Sequence, residues 1–280
     1  MFSDINIFGY NLDLYNFFNF FGWVVLVIYN YFQLPKKKEI LSKISQKIIE
    51  KREKNKDKIR TFCALFETMV ISCVQFFSGV LLNILWGILT TDAQDNYYGF
   101  ALWAPFVLIL FCILIKVPAL RQLDLYTPAY ALSLVSFKIA CFCAGCCSGI
   151  KWEMGMYNPM HGQSEVPVQL IEGAVALGLF IFLHIYNKKK KLIGSSFPMY
   201  LILYSGTRFF TEFLRGDFPC LLGPFTTYHF QCLIGIAVGF MELYYVKKRT
   251  KMLCRLGTYG ETAVLSKKQR DKKMRSGKGI

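Results

Sequence analysis

Residues 13–60 read DLYNFFNFFGWVVLVIYNYFQLPKKKEILSKISQKIIEKREKNKDKIR. The first part, 13–33, is almost wholly apolar and aromatic, with a single charge, Asp13, at its edge. A run of about twenty such residues is what an α-helix needs to cross a hydrocarbon core of ~30 Å. The second part, Pro35 to Arg60, carries eleven Lys and Arg. An apolar run ending in a basic segment reads as a membrane span whose basic end stays in the cytoplasm.

The same alternation runs along the whole chain. Apolar stretches recur at 61–88, 97–115, 124–146, 167–186, 194–213 and 226–246, giving seven predicted spans with the first. The fold class expected is therefore all-α, a polytopic transmembrane helical bundle. The stretch 124–146 is the least regular, since it contains Pro128 and Lys138. Residues 1–246 form one expected membrane domain, and 247–280 a basic cytoplasmic tail. The chain carries a net charge of +15, but its basic residues lie between apolar runs and do not decorate a packed domain. That excludes nucleic acid as the expected partner. Met1 to Leu12 contains no Lys or Arg, so a cleavable signal peptide is not expected.

Charge also sets the orientation. Beyond the eleven basic residues of Pro35 to Arg60, Lys116 and Arg121 follow the third span, four lysines fill Lys188 to Lys191, and twelve Lys and Arg lie from Lys247 onward. An odd number of spans with the N-terminus outside places 29 of the 33 basic residues on the cytoplasmic face, as the positive-inside rule requires. These segments are topogenic and solvated, or additionally bind anionic lipid heads.

Lys138, Lys151, Arg208 and Arg215 are the basic residues that topology does not absorb. Lys138 and Arg208 each fall about 14 residues from the cytoplasmic end of a span, roughly 20 Å up at 1.5 Å per residue. Glu172 enters the fifth span from outside to roughly 8 Å. Glu212 is one turn beyond Arg208 on the same helix face. Charges at that depth face protein or a cavity, seldom lipid. Two readings follow: ion pairs that lock helices together, or a polar site open to the outer leaflet. A cationic pair at headgroup depth suits a phosphate, since Arg offers a planar fork and Lys a point charge. Tyr204, one turn below Arg208, adds a hydroxyl or serves as an interfacial aromatic.

These residues carry a family pattern. Tyr204-Ser-Gly-Thr-Arg-Phe-Phe-Thr-Glu-Phe-Leu-Arg-Gly-Asp217 resembles the Y-G-x-x-R-F-x-x-E-F-x-R-x-x-D segment of bacterial prolipoprotein diacylglyceryl transferases. Phe137-Lys-Ile-Ala-Cys-Phe-Cys-Ala-Gly-Cys-Cys-Ser-Gly149 resembles that family's G-R-I-G-N-F-x-N-x-E-x-x-G signature in a cysteine-rich form. Pro167-Val-Gln-Leu-Ile-Glu172 resembles its H-P-T-Q-L-Y-E segment, and Tyr98-Gly99 falls where the family has a His-Gly-Gly turn. The four stand in family order over about residues 13 to 246. Four positions depart from the pattern. Lys138 stands for the signature arginine and Cys141 for its asparagine, while Tyr98 and Val166 stand for histidines.

The resemblance implies transfer of a diacylglyceryl group from phosphatidylglycerol to the lipobox cysteine of a prolipoprotein, in a bacterial cell (inner) membrane. It implies no metal and no soluble cofactor. Its expected partners are phosphatidylglycerol or another anionic phospholipid, the prolipoprotein and the bilayer. On this reading Arg208 and Lys138 hold the phosphate, Glu212 orients Arg208, Arg215 lies at the mouth, and Glu172 or Tyr98 accepts the thiol proton. Tyr204, Cys141, Gly145 and Gln169 complete the expected substrate-binding set.

Cys141, Cys143, Cys146 and Cys147 give C-x-C-x-x-C-C at the outer end of the fourth span. Small residues that let helices pack, a disulfide on an oxidising face, and a zinc site all remain open readings. His161, His184 and His229 read as polar residues near the membrane surfaces, with the loop carrying His161 positioned to fold over the site. Rival readings are a divergent homologue binding another lipid or peptide, a transporter, and a membrane disulfide enzyme using Cys146 and Cys147. No inverted repeat supports the transporter.

Overall fold

The computed structural model describes residues 4–7, 10–33, 42–51, 55–90, 97–115, 117, 119–189, 192–216 and 220–255. It is mostly helical. The helices are α1 (Leu14–Gln33), α2 (Lys43–Lys51), α3 (Lys56–Thr90), α4 (Tyr97–Leu114), α5 (Ala119–Ala144), α6 (Val168–Lys189), α7 (Ser196–Glu212) and α8 (Thr227–Arg255). Each of the seven apolar stretches is occupied by one of α1 and α3 to α8. Among the described residues, three helices are long and apolar enough to cross a membrane: Ala119–Ala144, Val168–Lys189 and Thr227–Met252.

The outside of the bundle is apolar. Phe20, Phe66, Leu114, Phe210 and Tyr244 are all exposed, on five different helices. A water-soluble surface does not spread large apolar side chains this way, whereas a lipid-facing one does. The core mixes large apolar side chains such as Tyr126, Leu108 and Tyr200 with small and polar ones. α5 lies at the centre and packs against α1, α4, α6 and α7. Tyr126, Ala129, Ala131 and Leu134 on it are fully or almost fully buried.

Polar side chains tie helix ends together. Asp124 on α5 accepts hydrogen bonds from the backbone N–H groups of Gly194 (2.7 Å) and Ser196 (3.0 Å), where α7 begins. A helix start leaves its first N–H groups without intrahelical partners, and a carboxylate there also complements the helix dipole. Asn187 near the end of α6 donates to the Asp124 carbonyl at 2.6 Å. His184, read from the sequence as a surface polar residue, is paired within the bundle: the Tyr29 hydroxyl of α1 lies 2.7 Å from its Nδ1.

Two features go beyond the sequence reading. The basic link holds α2, whose start is anchored by Glu67 of α3 through the Ser42 amide at 3.1 Å and the hydroxyls of Ser42 and Ser45. Among the described residues, three short antiparallel hairpins also stand outside the helices: β1–β2 (Asp4–Ile7 with Tyr10–Asp13), β3–β4 (Lys151–Asn158 with Gln163–Glu165) and β5–β6 (Cys220–Leu222 with Phe225–Thr226). The second and third flank the ends of α5, α6 and α7 that carry the candidate site.

Candidate active site

The charges in α5, α6 and α7 meet. Lys138 Nζ lies 2.5 Å from Glu172 Oε2, and Arg208 Nη1 lies 2.5 Å from Glu172 Oε1. Arg208 Nη2 reaches Glu212 Oε2 at 2.7 Å, across the single turn that separates them on α7. Arg215 stands 3.9 Å from both carboxylates. Every member of this cluster is buried.

Arg215 sits differently from the sequence expectation, which put it at the mouth of the site. Its side chain is only 4% exposed. The cause is local backbone geometry. α7 stops at Glu212, and the chain turns back so that Arg215 pairs with Gly149 in an antiparallel bridge. The Ile150 amide donates to the Leu214 carbonyl at 2.9 Å, and the Gly216 amide to that of Ser148 at 3.3 Å. These bonds fold Arg215 inward. Gly149 is needed there: a Cβ on it would come within 2.4 Å of the Val166 carbonyl.

Hydroxyl groups not foreseen from the sequence complete the carboxylates. Thr211 Oγ1 donates to Glu172 Oε1 at 3.1 Å, and Thr226 Oγ1 donates to Glu212 Oε1 at 2.8 Å. The Thr226 amide donates to His229 Nδ1 at 3.0 Å, which puts the proton of this imidazole on Nε2. His229 is 1% exposed, with its ring against Phe209, Phe213 and Phe225. Thr211 had a signal in the sequence, one turn beyond Arg208. Thr226 had none, since fourteen residues separate it from Glu212.

The other expected site residues are placed as follows. Tyr204 is buried and stacks on Tyr200 at 5.6 Å. Gln169 donates through Nε2 to the Cys146 carbonyl at 2.7 Å. Gly145 ends α5 with a φ of 75°, in the left-handed region that suits glycine, and its carbonyl accepts from Asn158 at 3.0 Å. Cys141 is buried on α5. Tyr98 falls at the start of α4, and its side chain lies outside the described residues.

His161 belongs to the β3–β4 turn. Its Nδ1 lies 2.9 Å from Glu165 and 3.2 Å from the Ser148 hydroxyl. Glu165 also accepts from Asn158 at 3.0 Å and from Gln163 at 2.7 Å. Burial works to raise the Glu165 carboxyl, but the bonds from Gln163, Asn158, His161 and Ser148 outweigh it and hold it below the usual carboxylate range. The hairpin is thereby fastened onto the 145–150 turn.

A helical membrane protein with a buried cluster of three cations and two carboxylates is the class that fold and site define. The sequence model of the prolipoprotein diacylglyceryl transferase family matches residues 5–245, and the chain belongs to that family. It is 34% identical to phosphatidylglycerol–prolipoprotein diacylglyceryl transferase 2 of Clostridium perfringens over 136 residues, 46% of this chain and 53% of that protein. It is 32% identical to the Clostridium tetani enzyme of that name over 149 residues, 51% of this chain and 60% of that one. A relative from Clostridioides difficile is 38% identical over 92 residues, 33% of this chain and 37% of its own length. The chain thus spans about half the length of the first two relatives.

Proposed function

We propose that this chain is a diacylglyceryl transferase acting on phosphatidylglycerol and a prolipoprotein thiol, in a bacterial inner membrane. The observation that carries the reading is the convergence of three buried cations at one place in the bundle. Lys138, Arg208 and Arg215 are gathered there with Glu172 and Glu212. Clustered Arg and Lys side chains in a low-dielectric setting are strong ligands for an anionic oxygen group. A lipid phosphate is such a group. The names of the relatives point to the same lipid and acceptor.

On this reading, the sulfur of the acceptor thiolate attacks the terminal glycerol carbon of the diacylglyceryl moiety. The new S–C bond forms as the C–O bond to the phosphate breaks, and glycerol phosphate leaves with the electron pair. Lys138, Arg208 and Arg215 stabilise the charge on that leaving group, as preorganised cations do. Glu172 has Lys138 and Arg208 on its two oxygens, so it serves to hold cations in place and not to collect the thiol proton. Glu212 positions Arg208 from the other side, and Thr226 fixes Glu212.

The topology that fits is multi-pass, with α1 and α3 to α8 crossing the bilayer, the N-terminus outside and the basic tail in the cytoplasm. The distribution of 29 of 33 basic residues supports it. Labelled phosphatidylglycerol and a lipobox peptide, incubated with membranes carrying the protein, test the function. Transfer that is lost in Arg208→Ala and Lys138→Ala is expected. Undiminished transfer in both variants would remove the cluster from the chemistry. Lipid binding without transfer would reassign the chain as a lipid-binding relative.

A further inference from the structure

Three thiols converge beside the cation cluster. Cys141 lies near the end of α5, and Cys146 and Cys147 lie in the turn that follows it. Their Sγ atoms all lie within 4.8 Å of one another, and all three are free cysteines. The turn is what brings them together. Gly145 at a φ of 75° and Cys147 at 59° reverse the chain over the helix end. A left-handed φ is uncommon at a residue with a side chain, and Cys147 adopts it with its sulfur in the triangle.

The triangle has the dimensions of a metal site. Around a tetrahedral ion with zinc–thiolate bonds of ~2.3 Å, three sulfurs stand about 3.8 Å from one another. Edges no longer than 4.8 Å close to that value by small side-chain rotations. A disulfide between any two would leave the third sulfur in the triangle without a role. The set offers soft ligands only, which favours zinc and its thiolate-seeking relatives over magnesium or calcium. Three protein ligands leave a fourth tetrahedral position open, as catalytic zinc sites do.

The triangle adjoins the phosphate site. Cys141 is three residues beyond Lys138 on α5, about 4.5 Å along the axis and on the same face. Gln169, which holds the Cys146 carbonyl, is one turn before Glu172 on α6.

We propose that Cys141, Cys146 and Cys147 hold a zinc-class ion whose open position takes the sulfur of the acceptor thiol. The role rests on the transferase reading. A thiol that coordinates such an ion does so as a thiolate, its proton passing to water. Its sulfur then forms the S–C bond while the C–O bond to phosphate breaks, and glycerol phosphate departs toward Lys138 and Arg208. The thioether product is uncharged, a weaker ligand than a thiolate, and is released. Thiol activation of this kind serves where Tyr98 and Val166 stand in place of the histidines of the family pattern.

The test uses the full chain, purified in detergent, reduced, stripped with chelator and loaded with Co²⁺. One cobalt per chain is expected, with thiolate-to-cobalt charge-transfer absorption that shifts when N-acetylcysteine amide is added. Cys141→Ser and Cys147→Ser should each weaken cobalt binding by more than the ~10–100-fold that losing an outer-shell partner costs. Cys143→Ser, which alters a cysteine outside the triangle, should leave it unchanged and controls for folding. Absence of the charge-transfer band, or a disulfide joining two of the three in the native chain, overturns the inference. Undiminished transfer by the chelated chain overturns it too, and leaves the transferase reading intact. Cobalt and thiol binding without any transfer supports the site and sinks the transferase reading alone.

Discussion

Lys138 Nζ of α5 lies 2.5 Å from Glu172 Oε2 of α6, and both residues are buried. This pair joins two helices at the depth where the lipid phosphate is proposed to sit. It also occupies the position at which the family pattern carries arginine. Lysine keeps the charge but gives up the planar fork. Lys138→Ala should lower transfer by about a hundredfold or more, the loss seen when one preorganised donor to a developing oxyanion is removed. Lys138→Arg should retain transfer, with a KM for lipid no higher than that of the parent chain. A Lys138→Arg protein that folds but is as inactive as Lys138→Ala would show that the lysine has a task beyond charge.

Arg208 uses separate nitrogens for Glu172 and Glu212, so its shape matters as much as its charge. Lysine has a single nitrogen and does not span both carboxylates. Arg208→Lys should therefore unfold at lower temperature than the parent in detergent. The expected cost is about 3–5 kcal/mol, the range for leaving a buried charge without its partner. Glu212→Gln combined with Arg208→Lys should cost less than the two separate effects added together, because the residues share one interaction. Strict additivity in that cycle would mean that the pair is not coupled.

The positions of the helices were legible because apolar runs of span length, separated by basic links, admit few other readings. The central charges were legible for a related reason: Lys138, Glu172, Arg208 and Glu212 stand in stretches where charge is costly. What escaped reading depends on contacts between distant residues. α2 is short and its start is fixed by Glu67, which lies twenty-five residues beyond Ser42. Thr226 reaches Glu212 only because β6 and α8 return to the end of α7. Arg215 is turned inward by a bridge to Gly149, a pairing that no local pattern encodes. The cysteine triangle needs two left-handed residues in one turn, Gly145 and Cys147, and only the first is of a type that announces it.

Asp124 makes a prediction at the other end of α5 from the charge cluster. Its carboxylate holds the Gly194 and Ser196 amides, and it is itself buried. Asp124→Ala leaves those N–H groups without their acceptor, at a cost of about 1–3 kcal/mol. Asp124→Asn should be milder, since one amide oxygen still accepts. Thermal unfolding in detergent reads the difference. The transfer rate per folded molecule should stay near that of the parent, because Asp124 does not touch the cluster.

Glu165 gives the hairpin a dependence on pH. Its carboxyl is held below the ordinary value of 4.5 by bonds from Gln163, Asn158, His161 and Ser148, which together exceed the opposing effect of burial. A carboxylate with a lowered pKa in the folded state contributes stability above its unfolded pKa and loses it as pH falls through the folded one. The β3–β4 hairpin should therefore be firmly held at neutral pH and should loosen under acid, below the ordinary glutamate range. Hydrogen exchange over residues 151–165 measures this directly. Protection in the parent chain should hold from neutral pH into mild acid and fall only below the ordinary glutamate range, after correction for the intrinsic exchange rate. Glu165→Gln, which has no carboxyl to titrate, should show weaker protection at neutral pH and little further change on acidification. An equal acid response in both proteins would mean that another group, and not Glu165, fastens the hairpin over the 145–150 turn.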